Sequence, residues 1–392
     1  MPVSDFESPY VLLASSGGGN GRHLLFSRPH RVLVAESLAE VRPLMRTADE
    51  ALKTGYHIAG FVSYEAGYAL EPAALRPGTV SSDAPLAWFG VFDDPVTLTT
   101  SELNYAFAGS GSFRLSLNDR STTRDDYIAA IRKLHQEIRE GEVYQVNLTF
   151  DLRGRLEGSP EALFQAGRKA QPTEFAALIR TGYMDVLSFS PELFFEINVE
   201  HGSRKITTRP MKGTAPRESD PWHDATVGRD LASDGKNRAE NLMIVDLLRN
   251  DLNRIAKPGS VAVPRLFDTE SYPTVWQMTS TVEASIRDEA TLGDVMRALF
   301  PCGSVTGAPK VRAMHLIAEL ESRPRGIYCG AIGYAAPDGH AAFNVPIRTL
   351  EVSQDGRARL GVGSGVVSDS DPDSEFAECL LKGLFLTQLS EA

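Results

Sequence analysis

The sequence predicts an α+β protein, with strands gathered into antiparallel groups and long helices set between them. Two observations carry this expectation. Between residues 175 and 197 the runs Ala177-Leu178-Ile179, Val186-Leu187 and Leu193-Phe194-Phe195 follow one another around Gly182, the pattern of consecutive antiparallel strands. Elsewhere apolar residues recur at helical spacing, but without the regular strand and helix alternation of a doubly wound parallel sheet.

The elements follow in order. A helix begins after Thr123, a suitable N-cap with Asp126 three residues on; Tyr127, Ile131, Leu134 and Ile138 form its apolar stripe and Gly141 stops it. Further strands are expected over 327–334 and 357–367, and helices over 237–248, 310–320 and 373–389. The polar, Gly/Ser-containing stretch 109–123 separates an N-terminal region, 1–110, from a region at 120–390, and the two are expected to form one intertwined globule.

Composition narrows the function. The chain has 392 residues, 42% of them apolar, enough for a large core. A net charge of -11 with no long Lys/Arg block disfavours nucleic acid and anionic membrane as partners. An anionic substrate would therefore need local cations or a metal. Cys302, Cys329 and Cys379 are odd in number and widely spaced, which argues against a disulfide framework or zinc site and for a reducing cytoplasm. Residues 1–16 lack a basic then apolar leader pattern, and no run of 18 apolar residues occurs.

Several motifs fail on spacing. Gly361-Val362-Gly363-Ser364-Gly365 is GxGxG followed by strand-like residues, not the dinucleotide fingerprint. The 303–310 segment, GSVTGAPK, lacks Walker spacing. No HExxH or GxSxG pattern occurs, which removes zinc hydrolysis and serine-esterase chemistry.

Four constellations remain, each with two open readings. Glu240 shares a helical stripe with Ile244 and Leu247, so its carboxylate needs either a basic partner or a metal. Glu375, Glu378 and Lys382 share a helix face, either as a solvated ion pair or as carboxylates for a hard cation beside an anion-binding lysine. Thr306-Gly307-Ala308-Pro309 precedes a helix carrying Val311, Met314 and Ile317, with Pro309 in its first turn; its free N–H groups serve a plain cap or hold a carboxylate. Lys212 lies in a Pro/Gly-bounded loop with Arg209 and Arg217; it is either solvated or, if buried beside them, a neutral amine nucleophile.

Taken in order, these segments resemble the chorismate-utilising enzymes. The carrying residues are Tyr144-Gln145-Val146-Asn147-Leu148, Ser190-Pro191-Glu192, Pro210-Met211-Lys212-Gly213-Thr214, Arg238-Ala239-Glu240-Asn241-Leu242-Met243, the 303–310 segment, Ile347-Arg348-Thr349 and the 363–378 segment. The match spans 124–389, and Gly60-Phe61-Val62-Ser63-Tyr64-Glu65 is the most family-like piece before it. The resemblance implies two large antiparallel sheets packed as a sandwich flanked by helices, with the active site in a cleft between them. It implies that Glu240 and Glu375 hold Mg²⁺, with Glu378 adjacent and the metal bridging to the ring carboxylate of chorismate. Tyr328, Arg348 and Lys382 match positions that bind the enolpyruvyl carboxylate, with the backbone near Gly363 helping. Ser364 replaces the middle glycine of the common GGG and is expected to tighten the pocket. Thr306 matches a residue lining the ring pocket, and Glu192 matches the general acid for the departing 4-hydroxyl.

Two positions discriminate within the family. Isochorismate and salicylate synthases carry a water-activating lysine where this chain has Gln145. Anthranilate synthases typically have alanine where this chain has Lys212. Lysine there resembles the aminodeoxychorismate synthases, in which its amine attacks C2 and ammonia then enters C4. This likeness implies ammonia as co-substrate and a place in p-aminobenzoate and folate synthesis. No Cys-His-Glu glutaminase motif is evident, so a separate glutamine amidotransferase subunit is implied as its source. The alternatives are an anthranilate synthase component I and a catalytically silent, amidotransferase-binding homologue. Gln277 stands where the family often has histidine, so no role is carried over for that side chain.

Overall fold

A computed structural model describes residue 3 and residues 6–15, 23–76, 84–272 and 275–391. Residues 1, 2, 4, 5 and 16 of the N-terminal stretch read above for a leader pattern lie outside the described residues. Two ten-stranded antiparallel sheets organise the chain. The first runs from Gly307–Ala308 through Gln145–Gly158, Arg357–Val366, Thr349–Ser353, Met184–Ser190, Phe175–Arg180, Tyr10–Ala14 and His23–Ser27 to Val96–Leu98, with Phe113–Arg120 also on Gln145–Gly158. The second runs from Met211–Pro216 through Val275–Ser285, Ser203–Arg209, Leu193–Glu200, Ala341–Asn344, Ala331–Ala335, His57–Val62 and Ala87–Phe92 to Arg31–Ala35, with Ala262–Ser271 also on Val275–Ser285.

Strand alternation explains how the sheets pack. Successive side chains point to opposite faces, and one face of the first sheet presents Val11, Phe26, Ala177, Ile179 and Val186 to Ala59, Phe61, Trp88 and Ile332 of the second. Phe26 meets Phe92 and Tyr334 across this layer, with ring centroids 5.6 and 5.7 Å apart. Helices join the main core: Val41, Leu44 and Met45 from Leu38–Lys53, Tyr127, Ile131 and Leu134 from Arg124–Arg139, and Ile244, Val245 and Leu248 from Gly235–Asn253. The expected α+β sandwich flanked by helices is the observed fold.

The local signals account for most boundaries. Thr123 caps Arg124–Arg139 by accepting the Asp126 N–H, and the chain leaves the helix through Gly141 at φ +80°. Gly182, at φ +94°, turns Phe175–Arg180 into Met184–Ser190. The Lys310–Leu320 helix has the expected bounds, but Pro309 is its N-cap rather than part of its first turn. The 361–365 glycine run is strand, within Arg357–Val366. The 109–123 stretch contains the Phe113–Arg120 strand, and strands from 1–110 are hydrogen-bonded into both sheets. The three cysteines are free and buried. Among the described residues no helix is long and apolar enough to cross a membrane.

Candidate active site

Lys212 lies in a strand rather than a loop. Met211–Pro216 pairs with Val275–Ser285, and the register breaks between Met211 and Thr214, so Lys212 and Gly213 form an irregular step in the ladder. Such steps re-aim a side chain. Burial holds the Lys212 amine below its ordinary pKa and Lys382 adds to that effect, while Glu240, Glu192 and Glu378 oppose it. Arg209 and Arg217 are not among the main groups that set it, and each has its own carboxylate: Arg209 pairs with Glu174, and Arg217 with Asp224 at 2.6 Å.

Three separate strands converge at this amine. A Cβ at Gly365 would stand 3.2 Å from Lys212 Nζ and 2.8 Å from Gln145 Nε2. Gln145 is fully buried, and neither of its amide atoms has a hydrogen-bond partner. An unmade bond on a buried polar group costs about 1–3 kcal/mol, a cost that a bound polar ligand would remove. Gly365→Ala is expected to lower turnover by about 100-fold, the scale on which a displacement of about 1 Å acts, while the unfolding free energy changes by less than about 1 kcal/mol. Unchanged turnover in that variant would place the reacting amine elsewhere.

Glu192 follows the Met184–Ser190 strand and is 5% exposed. Burial raises its carboxyl pKa, while a hydrogen bond from Ser304 and the Lys212 charge lower it. Ser304 Oγ donates to Glu192 Oε1 at 2.5 Å, and the Glu192 N–H donates to Ser190 Oγ at 3.1 Å. The result is a carboxyl group that keeps its proton above the ordinary carboxylate range. Ser304→Ala removes a bond that favours the ionised form, so the Glu192 pKa should rise further. The alkaline limb of turnover, where this acid loses its proton, is then expected to move to higher pH. A limb that stays or moves down would remove Glu192 from the acid role.

Glu240 is half-buried on the stripe of its helix that carries the buried Ile244 and half-buried Leu247. Burial raises its pKa, Lys212 and Lys236 lower it, and Asp369 and Glu375 raise it. Glu375, half-buried on Pro372–Thr387, accepts a hydrogen bond from Ser370 at 2.6 Å. Glu378 is drawn to Lys382 at 2.6 Å, and both are exposed. Among the described residues no three His, Cys, Asp or Glu side chains form a group able to hold a metal ion. Glu378 is engaged by the lysine one helical turn away. Two half-buried carboxylates of like charge still fit a hard cation that completes its shell with water and substrate oxygens.

The remaining candidates divide by where they point. Lys382 Nζ also donates to the Gly363 carbonyl at 2.9 Å. Tyr328 is 5% exposed, and its ring occupies the space that a Cβ at Gly361 would fill, 2.3 Å away. Arg348 has a left-handed backbone at φ +53°. Burial lowers its pKa, and the group that opposes this is Tyr272 rather than a carboxylate. Thr306 is fully buried, and its hydroxyl is already given to the Cys302 carbonyl at 2.8 Å. Ser364 departs from expectation. Its side chain alternates with that of Gly365 along the strand, and its hydroxyl lies 3.1 Å from the Tyr127 hydroxyl and is 1% exposed. It joins the layer beneath the helices instead of narrowing the space at Lys212.

Sequence reasoning passed over two residues here. Ser304 lies inside the recognised 303–310 segment, but only folding brings it to Glu192. Arg325 is 1% exposed and donates to the carbonyls of Val305 at 2.7 Å and Asn147 at 2.6 Å, tying the Thr306 turn to the strand of Gln145. No local pattern marked it.

A family model for chorismate binding enzyme matches residues 13–388. The chain belongs to the chorismate-binding enzymes. Within that family it is 46% identical over 266 residues to the aminodeoxychorismate synthase of Streptomyces griseus, covering 68% of this chain and 36% of that protein. It is 42% identical over 267 residues to aminodeoxychorismate synthase component 1 of Salmonella typhimurium, covering 68% of this chain and 58% of that one. Anthranilate synthase component 1 1 of Haloarcula marismortui is 41% identical over 261 residues, covering 67% and 52%. The matched span is thus well under two thirds of each of these three relatives' length. Among solved structures, anthranilate synthase component I from Streptococcus pneumoniae superposes with a TM-score of 0.78 at 22% identity, covering 98% of this chain and 93% of that one. MenF, the menaquinone-specific isochorismate synthase from Escherichia coli, gives 0.77 at 18% identity, covering 99% and 90%. At these identities the likeness shows this chorismate-binding enzyme's fold.

Proposed function

We propose that this chain converts chorismate and ammonia to 4-amino-4-deoxychorismate, the precursor of p-aminobenzoate on the route to folate, in the cytoplasm. The observation that carries this reading is the Lys212 amine, half-buried and lowered in pKa by desolvation, at the point where Gln145 and Gly365 converge and within the field of Glu192. The names of several relatives support it, and "component 1" in those names supports a partner subunit, here a glutamine amidotransferase that supplies ammonia.

The residues divide the work. Lys212 Nζ forms a bond to C2 as the C4 hydroxyl departs, and Glu192 gives that hydroxyl its proton so that water leaves. Ammonia then bonds to C4 and the Lys212 amine leaves C2, restoring the free lysine. Tyr328, Arg348 and Lys382 receive the enolpyruvyl carboxylate. Arg348 suits this role because, half-buried, it has Tyr272 rather than a carboxylate in the balance of its charge. Glu240 and Glu375 would hold Mg²⁺, whose chemistry there is to neutralise the ring carboxylate.

The test is product identity. Purified chain given chorismate, ammonium and Mg²⁺ is expected to yield the 4-amino product on chromatography, and with glutamine in place of ammonium it is expected to yield none. Fluorescent anthranilate would replace this reading with 2-amination, and untouched chorismate with that of a silent homologue. Chelation by EDTA, or Glu240→Gln, should abolish turnover while the circular dichroism spectrum is retained. Full activity in EDTA would reject the metal.

A further inference from the structure

We propose that Gln277 is the positioning residue that aims Lys212, acting as a side-chain clamp across the break in the strand that carries it. The inference rests on the nucleophile reading of Lys212. Between Met211, which pairs with Thr279, and Thr214, which pairs with Gln277, the ladder breaks and Lys212-Gly213 stand without regular register. The Gln277 amide fills that gap. Its Nε2 donates to the Gly213 carbonyl at 2.8 Å, and its Oε1 accepts the Thr214 hydroxyl at 2.9 Å. Both ends of the amide therefore hold the two residues directly after the lysine.

The surroundings make the clamp stiff. Gly213 sits at φ +88°, and a Cβ there would meet the Asn237 side chain at 2.9–3.0 Å, so the chain is held from the helix side as well. The neighbouring Trp276 donates its indole N–H to Asp224 at 3.0 Å and lies 5.0 Å beneath the Arg217 guanidinium, which itself holds Asp224. The strand is thus fixed on both sides of Thr214. An amide with both ends engaged is neither an acid nor a base, so its contribution is geometric. A lysine with four rotatable bonds requires that fixed base to reach one carbon repeatedly.

The experiment is single-turnover formation of the covalent adduct on Lys212, with chorismate and Mg²⁺ but no ammonia, read by intact mass. Gln277→Met keeps the volume and removes both bonds. It is expected to slow adduct formation about 100-fold at saturating chorismate, with KM for chorismate within about twofold of native. Thr214→Val, at an exposed position, removes one arm and should give an intermediate slowing, which keeps the test decisive if Gln277→Met does not fold. Gln277→Glu keeps only the Thr214 arm and should group with Thr214→Val. Native rates of adduct formation in Thr214→Val and in the folded Gln277 variants would overturn the clamp. Absence of any adduct in the native chain would overturn the nucleophile reading and the clamp with it, so the two failures are distinguishable.

Discussion

Lys212→Ala is expected to remove the substrate adduct and to lower formation of the 4-amino product by on the order of 10⁴-fold or more. The variant loses a nucleophile held in place, and effective molarities for such groups are very large. Incubation of the native chain with chorismate and Mg²⁺ without ammonia should build up an adduct that peptide mapping places on Lys212. Glu192→Gln should suppress the same adduct by about 10²–10⁴-fold, the range for loss of a positioned proton donor. The two variants fail differently, because Glu192→Gln retains the amine and its lowered pKa, whereas Lys212→Ala retains the acid. An unmodified Lys212 in the native chain, with Lys212→Ala still making product at the native rate, would end the covalent account and reopen the anthranilate synthase reading.

The largest effect on stability is expected from Arg325→Ala. The guanidinium is buried at 1% exposure, pairs with both Glu321 oxygens at 2.7 and 2.9 Å, and lies 4.4 Å over the Tyr64 ring. Its removal leaves Glu321, itself 7% exposed, without its guanidinium partner and held by the Thr149 N–H at 2.8 Å. Breaking one partner of a buried pair costs about 3–5 kcal/mol, a large part of the roughly 5–15 kcal/mol that stabilises a typical fold. The urea unfolding midpoint should fall accordingly. Adding Glu321→Leu should recover part of the loss, since no lone charge then remains inside. A midpoint shift equivalent to less than about 1 kcal/mol for Arg325→Ala would show that the pair contributes little. Because the same guanidinium holds the carbonyls of Val305 and Asn147, activity should fall before the fold is lost.

The sequence by itself determined what depends on near neighbours. The helix after Thr123, the Gly182 turn and the bounds of the 310–320 helix were legible because caps, left-handed turns and apolar stripes act within a few residues. The family, and the residues of its ordered motifs, were legible because those motifs are contiguous. Only the tertiary structure decided the rest. Lys212 became part of a strand because Val275–Ser285, more than 60 residues away, offers it an edge to pair with; its sequence alone reads as a Pro/Gly-bounded loop. Its lowered pKa comes from enclosure, since the adjacent arginines are neutralised by Glu174 and Asp224, which no local pattern assigns to them. Ser364 turned inward because strand alternation set its face opposite to Gly365, and Ser304 met Glu192 across 112 positions of sequence. Burial, pairing and charge balance are sums over distant segments, and so they are fixed when the two sheets close on each other.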